Sequence, residues 1–457
     1  MKIIPQDHLT DKKLEDSIQL FFKRFGLSTL LSTTKASTAR GFSVALVFRY
    51  LLRRAFGNRS MYMSFITGSH TEKFAKDVVY RFLNNASINW IKFTTTLAAK
   101  ISNQEIVPLT DDSRLNVLII DDTLFERPKS KKVELLARVF DHTTHTYKRG
   151  FRLLTLGWSD GNTFLPVASR LMSSEKKSNV YQLPVKDHDK RTLAFKRRKQ
   201  ARSKATLIMI ELLNEAKEAG MQAKHLLFDT WFCSPSSLIA VKSVGYDVIA
   251  MAKKSSKIHY MFEGKKQSAI DIFKQCKKRR GKSRYLLSVE IEVQKDDVTI
   301  PAKLVFVRNR NKRNEYLVLI STDTSLTEDE IIQTYSKRWS IEVFFKVCKS
   351  YLKLAKESRG LSYDAMTAHV AIVFARYMMM SVEHRIANDE RSLGELFYLF
   401  SDEFAELSFA RALFIIIEVL LRTIEDKLDL SKEQLDEFLT AFIEALPKHI
   451  QNRLIAD

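Results

Sequence analysis

The stretch Asn116-Val117-Leu118-Ile119-Ile120-Asp121-Asp122-Thr123 decides the reading of this chain. Four apolar residues stand on successive positions, so both faces of the segment need cover. That is the pattern of a strand in a sheet with packing on either side. The run predicts a strand that ends in Asp121-Asp122-Thr123. A carboxylate there is costly unless a cation or hydrogen bonds satisfy it.

Further strands follow. A basic loop is expected next, then strand-like runs at 151–158 and 163–171, separated by Ser159-Asp160-Gly161-Asn162, a hairpin signal. The charged stretch 186–204 holds nine Lys/Arg and two Asp. It leads into an amphipathic helix that should stop at Gly220. His225-Leu226-Leu227-Phe228 reads as a second buried strand, ending at Asp229. Ser234-Pro235 opens a helix as N-cap and first-turn proline, and 246–252 is another strand. Residues 253–314 alternate with period two and carry 18 Lys/Arg against six Asp/Glu. They read as a basic, β-rich insertion. An apolar strand returns at 316–321. The capping box Thr327-Glu328-Asp329-Glu330 predicts one long helix to about residue 352. Residues 1–108 read as helical, with basic residues (Arg49, Arg53, Arg54, Lys73, Lys76, Arg81) suited either to a solvated face or to DNA. Everything after 362 reads as helical.

Asp121 or Asp122, Asp229 and Glu342 stand out in this order. Strand ends of an α/β sheet converge, so the two aspartates could meet. Convergent carboxylates repel, and a hard divalent cation, Mg2+ or Mn2+, is the usual remedy. The competing reading is that each Asp only caps the following turn. On the closing helix Tyr335, Arg338, Glu342 and Lys349 fall within a stripe about 60° wide. Trp339, Phe344 and Cys348 point elsewhere and should supply apolar contact. Such a stripe is either an ion-pair ladder or a carboxylate facing a metal, with Arg338 and Lys349 gripping phosphates beside it.

Charge agrees with a polyanionic partner. The 457 residues contain 74 Lys/Arg and 53 Asp/Glu, a formal +21. Residues 381–457 run the other way, with eight Lys/Arg and 16 Asp/Glu, which suits contact with protein rather than DNA. The three cysteines, Cys233, Cys276 and Cys348, are far apart and form no C-x-x-C pair. A zinc ribbon or disulfide scaffold is therefore excluded, and a reducing cytosol fits. The N-terminus shows no apolar signal region, and there is no Gly-x4-Gly-Lys-Ser/Thr loop for a nucleotide.

The Y-x2-R-x3-E-x6-K spacing of Tyr335, Arg338, Glu342 and Lys349 resembles the signature of the insertion-sequence-4 family of DDE transposases. Ile119-Ile120-Asp121-Asp122-Thr123 and Leu227-Phe228-Asp229-Thr230-Trp231-Phe232 resemble its two Asp motifs. So does a β-rich insertion before the Glu. The likeness covers about residues 110–355. It implies an α/β, ribonuclease-H-like catalytic core over 109–385, interrupted by the 253–314 insertion. A helical DNA-binding region would precede it (1–108), and an acidic helical region would follow (386–457). It implies catalytic and metal-binding roles for Asp121, Asp229 and Glu342, with Asp122 as the alternative to Asp121. It also implies two Mg2+ ions (or Mn2+), cleavage of phosphodiesters at transposon ends, and strand transfer into target DNA.

Tyr335, Arg338, Lys346 and Lys349 would hold DNA, and Arg197 and Arg198 would bind backbone phosphate or else form a solvated helix start. Tyr260, Phe262 and Tyr285 are candidates for stacking on a displaced base. Partners would be terminal inverted repeats, target DNA and a second copy of the chain in synapsis, with no membrane. The setting would be a bacterial or archaeal cytoplasm, at the nucleoid. Two other readings stay open: a metal-dependent nuclease on the same core without strand transfer, and a domesticated, non-catalytic DNA-binding protein.

Overall fold

The computed structural model describes residues 13–386 apart from 38–40, 58–60, 67–71, 111–113, 142–143, 185–187, 281–282, 310–311, 313–314 and 358–359. Further on it describes scattered residues between 392 and 424, and 431–448. Much of the acidic region expected at 386–457 thus lies outside the described residues.

Among the described residues eleven strands form one mixed sheet. Its antiparallel and parallel parts meet at β1 (Val117–Glu126). On one side β1 pairs antiparallel with β3 (Thr146–Ser159), whose far edge carries β2 (Ala137–Asp141) and then β4 (Phe164–Met172). On the other side β1 pairs parallel with β5 (His225–Phe228), and β5 with β6 (Asp247–Met251). The β3–β4 hairpin turns at Gly161, at a φ of +100°.

The expected insertion does not form a separate sheet. β7 (His259–Phe262), β8 (Lys265–Ser268), β9 (Tyr285–Lys295) and β10 (Val298–Arg308) continue the same sheet, joined to β6 through β11 (Tyr316–Ser321). The basic loop expected after β1 contains β2.

Among the described residues six α-helices precede β1: α1 (Lys13–Phe25), α2 (Leu27–Thr33), α3 (Val44–Arg53), α4 (Met61–Ile66), α5 (Lys76–Leu83) and α6 (Trp90–Ile101). They have no core of their own, because α6 packs on β4 and one continuous apolar cluster runs from Leu14 to Phe397. Several of the basic residues expected on a DNA face are engaged inside the protein. Arg53 pairs with Glu15 and Glu72, and Arg54 is buried.

After β4 come α7 (Leu193–Gln200) and α8 (Ala205–Glu218), with Gly220 beyond the end at a φ of +80°. α9 (Pro235–Val244) begins as expected, with the Ser234 hydroxyl accepting from the Ser237 amide. α10 (Ala269–Gln275) lies within the insertion.

The helix expected from the capping box is two helices, α11 (Glu328–Ser336) and α12 (Trp339–Ser350). Thr327 and Glu330 do form the box. At the break the amides of Lys337, Arg338, Ser340 and Ile341 each donate three residues back rather than four, a tighter 3₁₀-like turn. The Lys337 ammonium fixes this turn by donating to the carbonyl of Leu115 at 2.6 Å, next to the β3–β4 hairpin.

α12 lies on β1 and β4. Its Phe344 packs on Phe164, and the tip of the Phe164 ring lies against Gly157 of β3, where a Cβ would fall 2.1 Å from it. α13 (Tyr363–Ile386) is apolar on all sides. By length and composition it could cross a membrane, but 94% of its apolar window is buried inside the protein. This is the signature of a central core helix.

Candidate active site

β1 does not stop at its aspartates. It continues to Glu126 on β3, whereas its pairing with β5 covers only Val117–Ile119. Asp121 and Asp122 therefore sit where one neighbour leaves and the edge of β1 opens. The parallel register sets Val117 against His225 and Ile119 against Leu227. Two residues further on, Asp121 falls level with Asp229 and points to the same face. Like charge at that spacing is visible in the chemistry of Asp121, whose carboxyl is pushed up to about 7. Burial is the main cause. Asp229 adds to it, while the Asp122 amide (2.8 Å) and Arg338 oppose it.

The strand alternation separates the two candidate first aspartates. Asp122 points to the opposite face and is held by Arg152, whose Nε donates at 2.8 Å and whose Nη2 makes a second, short bond. Asp121 faces α12. There the Arg338 guanidinium links the two ends of the signature. One nitrogen donates to Asp121 at 3.1 Å and the other to Glu342 at 2.5 Å. Two residues further along β1, on the same face, Thr123 accepts from Lys349 at 2.6 Å. Burial lowers the pKa of Lys349, with Asp141 and Glu126 acting against it. Tyr335 is pushed up to about 12, mainly by burial, and its hydroxyl interacts with Arg338. Lys346 is exposed on α12. The stripe of Tyr335, Arg338, Glu342 and Lys349 thus faces the Asp121 edge of β1.

Other expected site residues lie elsewhere. Arg197 and Arg198, expected to bind phosphate, are each 6% exposed. Arg197 pairs with Asp364 at 2.6 Å, and Arg198 pairs with Glu134 (2.6 Å) and Asp364 (2.9 Å). Arg197 also donates to the carbonyls of Ala86 and Ile88. These guanidiniums pin α7 to the start of α13 and to the N-terminal helices, so they are not available to DNA. Tyr260 and Phe262 are core residues at 2% and 9% exposure. Tyr285 is held by Arg279 over its ring and at its hydroxyl.

Two tryptophans beside the motif residues are exposed, and neither is expected to be. Trp339, expected to make apolar contacts, is 62% exposed beside Arg338. Trp231 is 51% exposed, and its amide donates to Asp229 at 2.9 Å. The signal that could have found them is adjacency to the motif. Thr123, the last residue of the first Asp motif, is a further site residue that spacing alone does not mark.

Three or more His, Cys, Asp or Glu side chains close enough to share an ion do not occur among the described residues. Arg338 ties Glu342 and Asp121 to itself. On donor chemistry Asp121 and Asp229 nonetheless fit a hard cation. They are neighbouring carboxylates, and Asp121, buried beside Asp229, holds its proton to about pH 7.

A sheet with neighbouring carboxylates at the ends of its central parallel strands, faced by a helix bearing a cation and a third carboxylate, is the setting of a phosphodiester-cleaving enzyme. Residues 56–305 match the DDE superfamily endonuclease family, and the chain belongs to that family. The match takes in Asp121 and Asp229 and ends before Glu342. Membership carries a nuclease- or transposase-type function and implies DNA as substrate. No curated protein matches the chain.

Proposed function

We propose that the protein is a DNA transposase: it binds transposon ends, cleaves them and joins them to target DNA. The observation that carries this reading is the facing of Asp121 and the Arg338–Glu342–Lys349 stripe across β1 and α12, with Asp229 level with Asp121. The strand order β4-β3-β1-β5-β6, with an antiparallel half and a parallel half, supports a ribonuclease-H-like core.

Asp121, Asp229 and Glu342 are the proposed catalytic carboxylates and the ligands of Mg2+, with Mn2+ as substitute. The pairing of Asp122 with Arg152 supports Asp121 rather than Asp122 as the first carboxylate. Bound metal would stabilise the charge on the attacking and departing oxygens of the phosphodiester. The chain's own groups bind and orient. Arg338 offers a planar fork for one phosphate, and Lys349, aimed by Thr123, offers a point charge for the next. Tyr335 braces Arg338, and Lys346 extends the positive edge of α12. Two ends must be held together for transfer, so the working form is a dimer on DNA, acting at the nucleoid of a bacterial or archaeal cytoplasm.

The test uses end duplexes taken from the DNA flanking the gene. Joining of a pre-cut end to plasmid in Mg2+ is the expected result, and cutting without joining would reduce the reading to an endonuclease. Asp229→Asn and Glu342→Gln should each lower cleavage by about 10²-fold or more while duplex binding persists, within the range lost when a group stabilising transition-state charge is removed. Full cleavage by Glu342→Gln refutes its assignment.

A further inference from the structure

We infer that the ribbon made by β2 and the outer part of β3 is a second contact surface for the backbone of duplex DNA. The inference rests on the reading of the protein as a DNA enzyme. Beyond Gly150, β3 leaves β1 and pairs with β2 alone. The register sets Arg138 directly opposite Arg149 and Phe140 opposite Tyr147, so all four side chains share one face. Like charges directly opposite on a strand pair are unfavourable, and among the described residues neither arginine has a carboxylate partner. Each guanidinium instead lies on an aromatic ring: Arg138 over Tyr147 at 4.0 Å and Arg149 over Tyr181 at 5.0 Å. Tyr147 is 59% exposed and Tyr181 48%.

A stacked guanidinium is held flat with its N–H edge outward. Two of them side by side make a preformed seat for an anion with several oxygens. Lys129, Lys131 and Lys132 are exposed on the adjoining loop, which is tied to the ribbon by the Arg127 amide donating to the Arg149 carbonyl at 2.8 Å. Basic residues interleaved with aromatics on a two-stranded ribbon suit nucleic acid.

The ribbon is also placed on the substrate path. Asp121 pairs with Thr155, eight residues before which stands Tyr147 on the same strand. At about 3.3 Å per residue the separation is about 26 Å. That is about eight base pairs at about 3.4 Å each. Lys349 lies on the way, with Asp141 and Glu126 of this region among its neighbours. A duplex with one phosphate at Asp121 and Lys349 would reach the ribbon less than one helical turn later.

The test is salt-dependent binding of the full-length protein to a fluorescent 40-base-pair duplex of mixed sequence. Arg138→Ala/Arg149→Ala should weaken binding about tenfold and reduce the slope of log K against log salt by about two, one counterion per lost phosphate contact. Arg138→Gln/Arg149→Gln keeps length and hydrogen bonding but drops the charge, and should show the same loss. Arg138→Lys/Arg149→Lys should keep the slope. Lys217→Ala/Lys242→Ala removes two exposed charges from α8 and α9, to which no DNA contact is assigned, and serves as control. An unchanged slope in both uncharged variants, or an equal loss in the control, overturns the inference. If the unaltered protein fails to bind the duplex, the DNA reading itself fails and the ribbon with it.

Discussion

Asn in place of Asp121 should make the protein more stable, and by an amount that depends on pH. Folded Asp121 holds its proton up to about pH 7, whereas an unfolded Asp releases it near 4. Between those values the folded chain binds the extra proton, so stability falls as pH rises through this window. The contribution is near zero below about pH 4 and the full cost is present above about 7. A rise of about three in pKa corresponds to about 4 kcal/mol at full burial. The side chain is 19% exposed, and Asn also leaves Arg338 with Glu342 alone. A net gain of about 1–3 kcal/mol at pH 8 is therefore expected, with most of it gone at pH 4. The assay is the apparent urea midpoint of Asp121→Asn and unaltered protein, in chelator, at half-unit steps from pH 4 to 8.5. Mg2+ should raise the midpoint of the unaltered protein near neutral pH and leave the variant largely unmoved. A difference that does not change with pH, or a variant less stable at pH 8, would refute the account of Asp121 as a buried carboxyl crowded by Asp229.

Arg198→Ala should destabilise by about 3–5 kcal/mol, because it takes the cation from buried Glu134 and leaves Asp364 with Arg197 alone. The salt slope of DNA binding should stay as it was, which separates a structural clamp from a phosphate contact. Lys337→Met removes the donor to the Leu115 carbonyl and should cost about 1–3 kcal/mol. It should also lower cleavage more than binding, since the turn that aims Arg338 loosens. Gly157→Ala would drive a methyl into the Phe164 ring that supports Phe344 of α12. It should cost about 1–3 kcal/mol by overpacking, read as a lowered thermal midpoint with reduced cleavage. Thr123→Val removes the acceptor of Lys349. Near-normal stability with weaker retention of cleaved ends is expected, measured by dissociation of a pre-cut duplex.

What the sequence made legible follows from how local each signal is. Strand periodicity, the Gly220 and Ser234 signals and the Thr327 capping box depend on neighbours within four residues, and each stands where expected. The stripe from Tyr335 to Lys349 was legible because a helix converts spacing into direction, and the small break at Lys337–Arg338 did not turn Arg338 away from Glu342. Asp121 and Asp122 could not be told apart from spacing, because adjacent strand residues differ only in face. That choice waited on Arg152, thirty residues away, to claim one of them. Arg197 and Arg198 misled for the same reason. A run of four basic residues looks like a phosphate site, but Asp364 and Glu134, far off in sequence, bury two of them. Trp339 departs in the opposite direction, since an apolar residue on a helix is usually core and only its place beside Arg338 marks this one as open. A charge or an aromatic in the sequence therefore names a capacity, and only the distant partner decides its use. Arg138 and Arg149 sit in a stretch that read as loop, where the β2–β3 register alone brings them face to face.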